Sequence, residues 1–122
     1  MARSKESLSD ALEKIPVLQE EFKQNVKVTG TGTQLNQTLE RAGRIADFFE
    51  FSQLLVRDAL TREESCGGHF RVESQTDDGE ALRNDEKFSH VAVWEHKDDG
   101  QAVRHEEPLA FEYCKPSQRS YK

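Results

Sequence analysis

Long hydrophobic runs, cysteine and an excess of basic charge are all scarce in this sequence of 122 residues. No window approaches the roughly 18 consecutive apolar residues that a membrane-spanning helix needs. Residues 1–6 carry no apolar segment of the kind found in secretion signals. Cys66 and Cys114 are too few for a disulfide framework, which fits a reducing compartment. We therefore expect a cytoplasmic protein with no direct membrane insertion.

The charge balance is acidic, with 17 Lys and Arg against 23 Asp and Glu and a formal net charge of −6. Because the excess is spread over the whole chain and no basic stripe is present, nucleic-acid binding is not expected. Hydrophobic residues make up 34%, against the usual share of roughly 45–50%. The length and the thin apolar content together predict one small domain, or a piece of a larger one.

Two stretches have the apolar periodicity of amphipathic helices, residues 4–26 and 34–63. In the first, Pro16 removes a backbone donor inside the pattern, which predicts a kink or a break there. Between the helices, residues 28–33 read Val-Thr-Gly-Thr-Gly-Thr, which predicts a turn. No strand precedes this segment and no Lys-Ser/Thr follows it, so a phosphate-binding loop is not supported.

The second helix carries more apolar surface than the first can cover. One stripe is formed by Leu35, Leu39, Ala42, Ala46, Phe49, Val56 and Leu60. A second stripe lies beside it, formed by Ile45, Phe48, Leu55 and Ala59. Together the two stripes span a wide arc. About two partner helices would be needed to cover it, and the sequence predicts only one. Self-association, or the chain's own tail folding over this surface, is therefore expected.

The second half of the sequence loses helical periodicity and becomes β-rich. Residues 64–88 have no periodicity, and their polar, turn-like residues 75–80 predict a surface loop. Residues 89–113 predict an extended region in which 98–100, Asp-Asp-Gly, form the turn of a hairpin. The predicted fold is mainly α: an incomplete spectrin-repeat-like bundle of two long antiparallel helices, with a C-terminal β-hairpin tail. We expect residues 1–66 to form the helical portion and residues 67–122 the loop and β-rich tail packing on it.

The densest polar cluster is residues 62–71, Arg-Glu-Glu-Ser-Cys-Gly-Gly-His-Phe-Arg, at the end of the second helix. A metal site is one interpretation, since Cys66 and His69 have a C-x2-H spacing. Zinc sites normally have two close ligand pairs, however, whereas here the other candidates are scattered single residues: His90, His96, His105 and Cys114. A nucleophilic cysteine with a histidine base is a second interpretation, which requires spatial contact that sequence adjacency does not establish.

The third interpretation is an anchoring loop that docks on another domain or subunit. Glycine lets a backbone approach a partner closely, and charged side chains supply directional hydrogen bonds. The residues predicted to dock are Arg62, Glu64, Ser65, Gly67, His69 and Arg71. Nothing in the sequence supplies a nucleotide fingerprint or a complete catalytic triad, so no catalytic, cofactor-binding or metal-ligating residue is assigned.

The same segment resembles the Arg-Lys-Glu-Ser-Arg-Gly-Ala-His-x-Arg signature of succinate dehydrogenase and fumarate reductase flavoprotein subunits. Residues 3–8, Arg-Ser-Lys-Glu-Ser-Leu, are similar to the start of a helix in the C-terminal domain of that family. Residues 39–60 are similar to its long helix, and residues 116–121 to its closing Arg-Ser-Tyr. The family often has Arg and Ala where this chain has Cys66 and Gly68, which leaves any role of that Arg open.

The resemblance implies that this chain is the non-catalytic C-terminal domain of such a subunit. The parent would bind FAD covalently in its flavin-binding and capping domains, interconvert succinate and fumarate, and pass electrons to an iron–sulfur subunit on a membrane anchor. The complex would lie at the inner face of the membrane. The chain itself would carry no cofactor, and as an isolated fragment it would self-associate. The alternatives are the C-terminal domain of an L-aspartate oxidase-like flavoprotein and a free-standing helical adaptor.

Overall fold

The computed structural model describes residues 2–98, 101–118 and 120. The chain divides into two compact units. One is residues 6–57, here called the helical hairpin. The other combines residues 1–5 with 58–122, here called the base unit. The division predicted from the sequence, after residue 66, remains a prediction about domain organisation.

The helical hairpin consists of two long helices, α1 (Lys5–Asn25) and most of α2 (Gln37–Thr61). The rings of Phe22 and Phe49 lie 5.5 Å apart between centroids, and Gln53 Nε2 donates to Gln19 Oε1 over 3.0 Å. Because the later residue of α1 meets the earlier residue of α2, the two helices run antiparallel, as predicted. Of the kink or break predicted at Pro16, the break is absent, since α1 continues through it.

The segment between the helices ends in a capped helix start. Asn36 Oδ1 accepts from the backbone N–H groups of Thr38 and Leu39, each over 3.1 Å, as an N-cap residue does. Asn36 Nδ2 donates to the Thr29 carbonyl over 3.1 Å. Gly30 has φ of 117°, and a Cβ there would lie 2.5 Å from Asn36 Nδ2. The loop therefore needs glycine at residue 30, both for its backbone conformation and for space.

Most of the second stripe of α2 is exposed, with Ile45, Phe48 and Leu55 at 45%, 57% and 54%, while Ala59 is partly buried. In the first stripe Phe49 is half-buried, but Leu39 near the start of α2 is 59% exposed. One partner helix therefore leaves this part of the predicted apolar arc open. We call Ile45, Phe48 and Leu55 the open face.

The base unit contains the last turn of α2, a loop, the short helix α3 (Asp85–Phe88) and a two-stranded antiparallel sheet of β1 (His90–His96) and β2 (Ala102–Pro108). The strands pair in the register His90↔Pro108 to His96↔Ala102. The hairpin prediction is thereby confirmed, although residues 99 and 100 of its predicted turn lie outside the described residues. Trp94 Nε1 donates to Asp58 Oδ1 over 2.8 Å, which joins the sheet to the last turn of α2.

The described part of the C-terminal tail runs along residues 80–83. Arg83 Nη1 donates to the Ser117 carbonyl over 3.0 Å, and Gln118 Nε2 donates to the Ala81 carbonyl over 3.1 Å. The extended strand expected at residues 109–113 is absent.

In the part of the chain that the structure describes, no helix has the length and apolarity to cross a bilayer.

Candidate functional site

Residues 66–69 form a tight turn at the exposed tip of the predicted docking segment. Cys66 N–H donates to the His69 carbonyl over 2.9 Å, and His69 N–H donates to the Cys66 carbonyl over 3.1 Å. Gly67 has φ of 58°, a conformation that glycine adopts without strain. A Cβ at Gly68 would meet nothing within 4 Å. The conformation therefore needs glycine at residue 67 but tolerates a side chain, such as the family's Ala, at residue 68.

Ser65 lies fully buried beside this turn and holds three segments together. Its hydroxyl accepts from Arg71 N–H over 2.8 Å and donates to the Arg71 carbonyl over 3.1 Å. Its own N–H donates to the Leu82 carbonyl over 2.9 Å. Burial of a hydroxyl costs free energy unless such hydrogen-bond partners are present. Ser65 has them within this chain, so its role is to stabilise the fold.

Arg71 caps the C-terminus of α2. Its side chain is 3% exposed, and Nη1 donates to the carbonyls of Ala59 and Leu60 over 3.0 and 3.2 Å. The last carbonyls of a helix have no partner within the helix and carry the negative end of its dipole. A buried guanidinium therefore satisfies both the hydrogen bonds and the charge at this helix end.

Glu73 extends the same arrangement to the start of α1. Its Oε2 accepts from Arg71 Nε over 3.1 Å, and its Oε1 accepts from the backbone N–H of Lys5 over 2.6 Å. The Lys5 hydrogen bond is the main cause that holds the pKa of Glu73 below its usual value, with the Arg71 guanidinium acting in the same direction. The Arg71–Glu73 ion pair thus places a positive charge at the C-terminus of α2 and a negative charge at the N-terminus of α1.

Glu64 is buried and connects two further parts of the base unit. Its Oε1 accepts from Arg62 Nε and Nη2 over 2.9 and 2.7 Å, and its Oε2 accepts from the Asn84 N–H over 2.9 Å. Burial of a carboxylate is costly unless it is paired and hydrogen-bonded. Glu64 meets that condition with partners from its own chain.

His69 makes hydrogen bonds through both ring nitrogens. Nε2 lies 2.8 Å from the Arg62 carbonyl and Nδ1 lies 3.3 Å from Arg3 Nη1. Burial is the largest cause that lowers the pKa of His69 below its usual value, and the charges of Arg3, Arg62 and Arg71 lower it further, against the opposing hydrogen bond to Arg62. The imidazole is therefore held neutral at neutral pH.

Arg3 brings the N-terminal segment into this group. Its N–H donates to the Phe70 carbonyl and its carbonyl accepts from the Val72 N–H, each over 2.9 Å. Its Nη1 also donates to the Gly68 carbonyl over 3.2 Å. We use the term capping cluster for the following residues: Arg3, Arg62, Glu64, Ser65, His69, Arg71 and Glu73.

All six predicted docking residues lie in or next to this cluster, but they differ in exposure. Ser65, Glu64 and Arg71 are buried, His69 and Arg62 are partly buried, and Gly67 is exposed. Sequence reasoning missed three contributors: Arg3, Glu73 and Asn84. An alternating Arg-Val-Glu at residues 71–73, which places both charges on one side of an extended segment, was the available signal for Glu73.

The geometry does not support the interpretation of Cys66 as a nucleophile with a histidine base. Both nitrogens of His69 already have partners, Arg62 and Arg3, so neither is available as a base for Cys66. Two histidines of the sheet have contacts of their own, since His90 Nε2 lies 2.8 Å from Arg104 Nη2 and His105 Nε2 lies 2.8 Å from Glu95 Oε2. Across the described residues, no group of three or more His, Cys, Asp or Glu is placed to hold a metal ion.

The sequence matches the family model described as fumarate reductase flavoprotein C-term over residues 1–121. This chain belongs to that family. The resemblance found in the signature segment is thereby confirmed at the level of the family. No curated protein matches the chain.

Solved structures show the same fold. The chain is similar to FrdA, in a variant form, of the quinol fumarate reductase of E. coli, with 24% identity and a TM-score of 0.77. That likeness covers 96% of this chain and 19% of the FrdA chain. A quinol-fumarate reductase with menaquinol molecules is similar over 95% of this chain and 19% of its own, with 24% identity and a TM-score of 0.75. The chain thus spans about a fifth of the length of these relatives.

Proposed function

We propose that this chain is a non-catalytic structural domain of a succinate dehydrogenase or fumarate reductase flavoprotein subunit, which supports the flavin domain and the docking of an iron–sulfur subunit. The observation that carries the proposal is the family match over residues 1–121, in a chain that spans 19% of the matched fumarate reductase chain. FAD, the interconversion of succinate and fumarate, and electron transfer at a membrane-associated complex then belong to the parent assembly.

Among the described residues, neither the loop most similar to a phosphate cradle nor the capping cluster fits the flavin cofactor. The loop most similar to a phosphate cradle is residues 28–33, and the side chain of Asn36 fills the space beside Gly30. The charged groups of the capping cluster are engaged with one another and with helix ends. The proposal therefore assigns the flavin and the dicarboxylate to other segments of the parent, and no catalytic step to this chain.

The docking surface follows from which groups remain exposed. Ser65, Glu64 and Arg71 serve the fold, so the docking contacts would be made by Gly67, Gly68 and the exposed part of Arg62. The open face of α2 offers an apolar surface to the rest of the parent subunit. Burial of apolar surface contributes about 25 cal/mol per Å², so such a face is a strong candidate for an interface.

The test uses the complete flavoprotein subunit that carries this chain, co-purified with its iron–sulfur partner. Gly68→Arg places a long cation at the exposed tip without backbone strain, since residue 68 has open space and no positive φ. The expected result is a several-fold loss of co-purified iron–sulfur subunit with normal flavin content. Gly32→Arg is the matched control, because residue 32 has the same open surroundings in a different loop.

If Gly68→Arg assembles as well as Gly32→Arg, the tip of the turn makes no docking contact. If a complete subunit containing this chain binds no flavin and has no succinate or fumarate activity, the proposed parent is wrong.

A further inference from the structure

The protonation state of His69 is fixed by its two partners. The Arg62 carbonyl only accepts hydrogen bonds, so His69 Nε2, 2.8 Å away, carries the proton and donates it. The Arg3 guanidinium only donates, so His69 Nδ1 must present its lone pair to Arg3 Nη1 at 3.3 Å. The contact between Arg3 and His69 therefore requires a neutral imidazole.

Protonation of His69 would replace this hydrogen bond by a contact between two cations. The charges around the imidazole are predominantly positive on every segment that packs against it: the N-terminal segment contributes Arg3, the residue after α2 contributes Arg62, and the segment after the turn contributes Arg71. The carboxylates of the cluster are already engaged, Glu64 by Arg62 and Glu73 by Arg71 and the Lys5 N–H. No carboxylate among the described hydrogen-bond partners of His69 would stabilise an imidazolium.

Arg3 is also the residue that pairs the N-terminal segment with residues 70–72. The pairing consists of two backbone hydrogen bonds, from Arg3 N–H to the Phe70 carbonyl and from Val72 N–H to the Arg3 carbonyl. Two contacts of the Arg3 side chain, with His69 and the Gly68 carbonyl, reinforce it. A change of charge at His69 therefore acts directly on the attachment of the segment that leads into α1.

We propose that His69 is a pH-dependent latch: as a neutral imidazole it holds Arg3 and keeps residues 2–4 paired with residues 70–72, and its protonation releases that segment. The latch is a property of this chain's own contacts and does not depend on the function proposed above.

The direction of the pH dependence follows from linkage. Burial and the neighbouring arginines lower the pKa of His69 below its usual value of 6.5. The open form, in which His69 is solvated, therefore binds a proton more readily than the closed form. The latch is fully stabilised above pH 6.5 and weakens as the pH falls below it. At pH 5 the population of the open form rises by at most about 30-fold relative to neutral pH.

Hydrogen exchange measured by NMR on the full 122-residue chain tests the latch, with exchange expressed as protection factors. The probe is the Val72 amide, which donates to Arg3, and the reference is the Phe49 amide in the middle of α2. We expect the protection factor of Val72 to fall between pH 7.5 and pH 5, by up to about 30-fold, while that of Phe49 stays constant. A constant Val72 protection factor, or an equal fall at Phe49, would overturn the proposal.

Two variants and a control make the assignment specific. In His69→Gln the pH dependence of the Val72 protection factor is lost, whatever its absolute level. In Arg3→Gln the neutral amide can still donate to Nδ1 but carries no charge, so the NMR titration midpoint of His69 rises towards 6.5. His96→Gln, at an exposed histidine, leaves both readouts unchanged. A His69 midpoint that does not move in Arg3→Gln would also overturn the proposal.

Discussion

The helical hairpin and the base unit differ in the kinds of side chain that they bury: the hairpin buries the apolar Leu8, whereas the base unit buries charged residues as well as the apolar Phe88. In the hairpin, apolar residues meet across one side of α2, as at Phe49, while Phe48 on the open face is 57% exposed. In the base unit, the charged residues Glu64 and Arg71 are each 2% exposed and have partners from the same chain. The difference indicates that the charged cluster stabilises the fold of this chain, whereas the apolar residues of the open face are left exposed.

Removing the buried cation is expected to have the largest effect. Arg71→Met keeps much of the side-chain volume but leaves the carbonyls of Ala59 and Leu60 without donors and Glu73 without its ion pair. Hydrogen bonds to charged groups are worth about 1.5–3 kcal/mol each, so we expect the free energy of unfolding to fall by about 3 kcal/mol. Urea denaturation followed by circular dichroism measures it. Arg57→Met, at an exposed arginine of α2, is the control and should change little.

Ser65→Ala is expected to have the next largest effect. It leaves the N–H of Arg71 without its acceptor at a fully buried position. An unsatisfied buried group costs about 1–3 kcal/mol, and the same denaturation experiment should show a loss in that range. A Ser65→Ala chain as stable as the wild type would mean that the hydroxyl is not what holds residues 65 and 71 together.

A matched pair of phenylalanines compares the two faces of α2 directly. Phe49→Ala removes a ring that packs on Phe22, and large-to-small changes in a core cost about 3–5 kcal/mol when burial is complete. Since Phe49 is only half-buried, we expect about 2 kcal/mol for the monomer. Phe48→Ala, on the open face, should cost much less. Equal losses in dilute solution would show that the two faces do not differ as described.

The smallest expected effect is a pH dependence at Glu73. Its pKa is lowered by the Lys5 hydrogen bond and by Arg71, so the folded chain binds a proton there less readily than the unfolded chain. The stabilisation is present above the usual carboxylate pKa and is lost as the pH falls below it. Glu73→Gln should therefore flatten the stability profile between pH 5 and pH 3. Glu21→Gln, at an exposed position of α1, should leave the profile unchanged.

Helices and strands were predictable because periodicity is a local signal. The repeated apolar spacing placed both helices, and the β-rich runs on either side of residues 98–100 placed the strands. The start of α2 at Gln37, three residues later than predicted, reflects the hydrogen bonds of Asn36, which caps the helix. The continuation of α1 through Pro16 shows that the helix tolerates the loss of one backbone donor.

The contacts of the polar segment were not predictable, because they join distant parts of the chain. The spacing of residues 62–71 indicated that these side chains lie close together. It contained no information that Arg71 turns back to Ala59 and Leu60, or that Arg3 reaches His69 across more than sixty residues. The expected docking role of the segment remains a prediction, now restricted to its exposed tip.

The most direct test of the central claim, that the open face of α2 is an interface, is sedimentation velocity of the chain over a wide range of concentrations. The wild-type chain should associate as its concentration rises, and a double variant, Ile45→Glu with Phe48→Glu, should remain monomeric with unchanged helix content. A wild-type chain that stays monomeric at the highest concentrations, or a double variant that associates equally well, would contradict the claim.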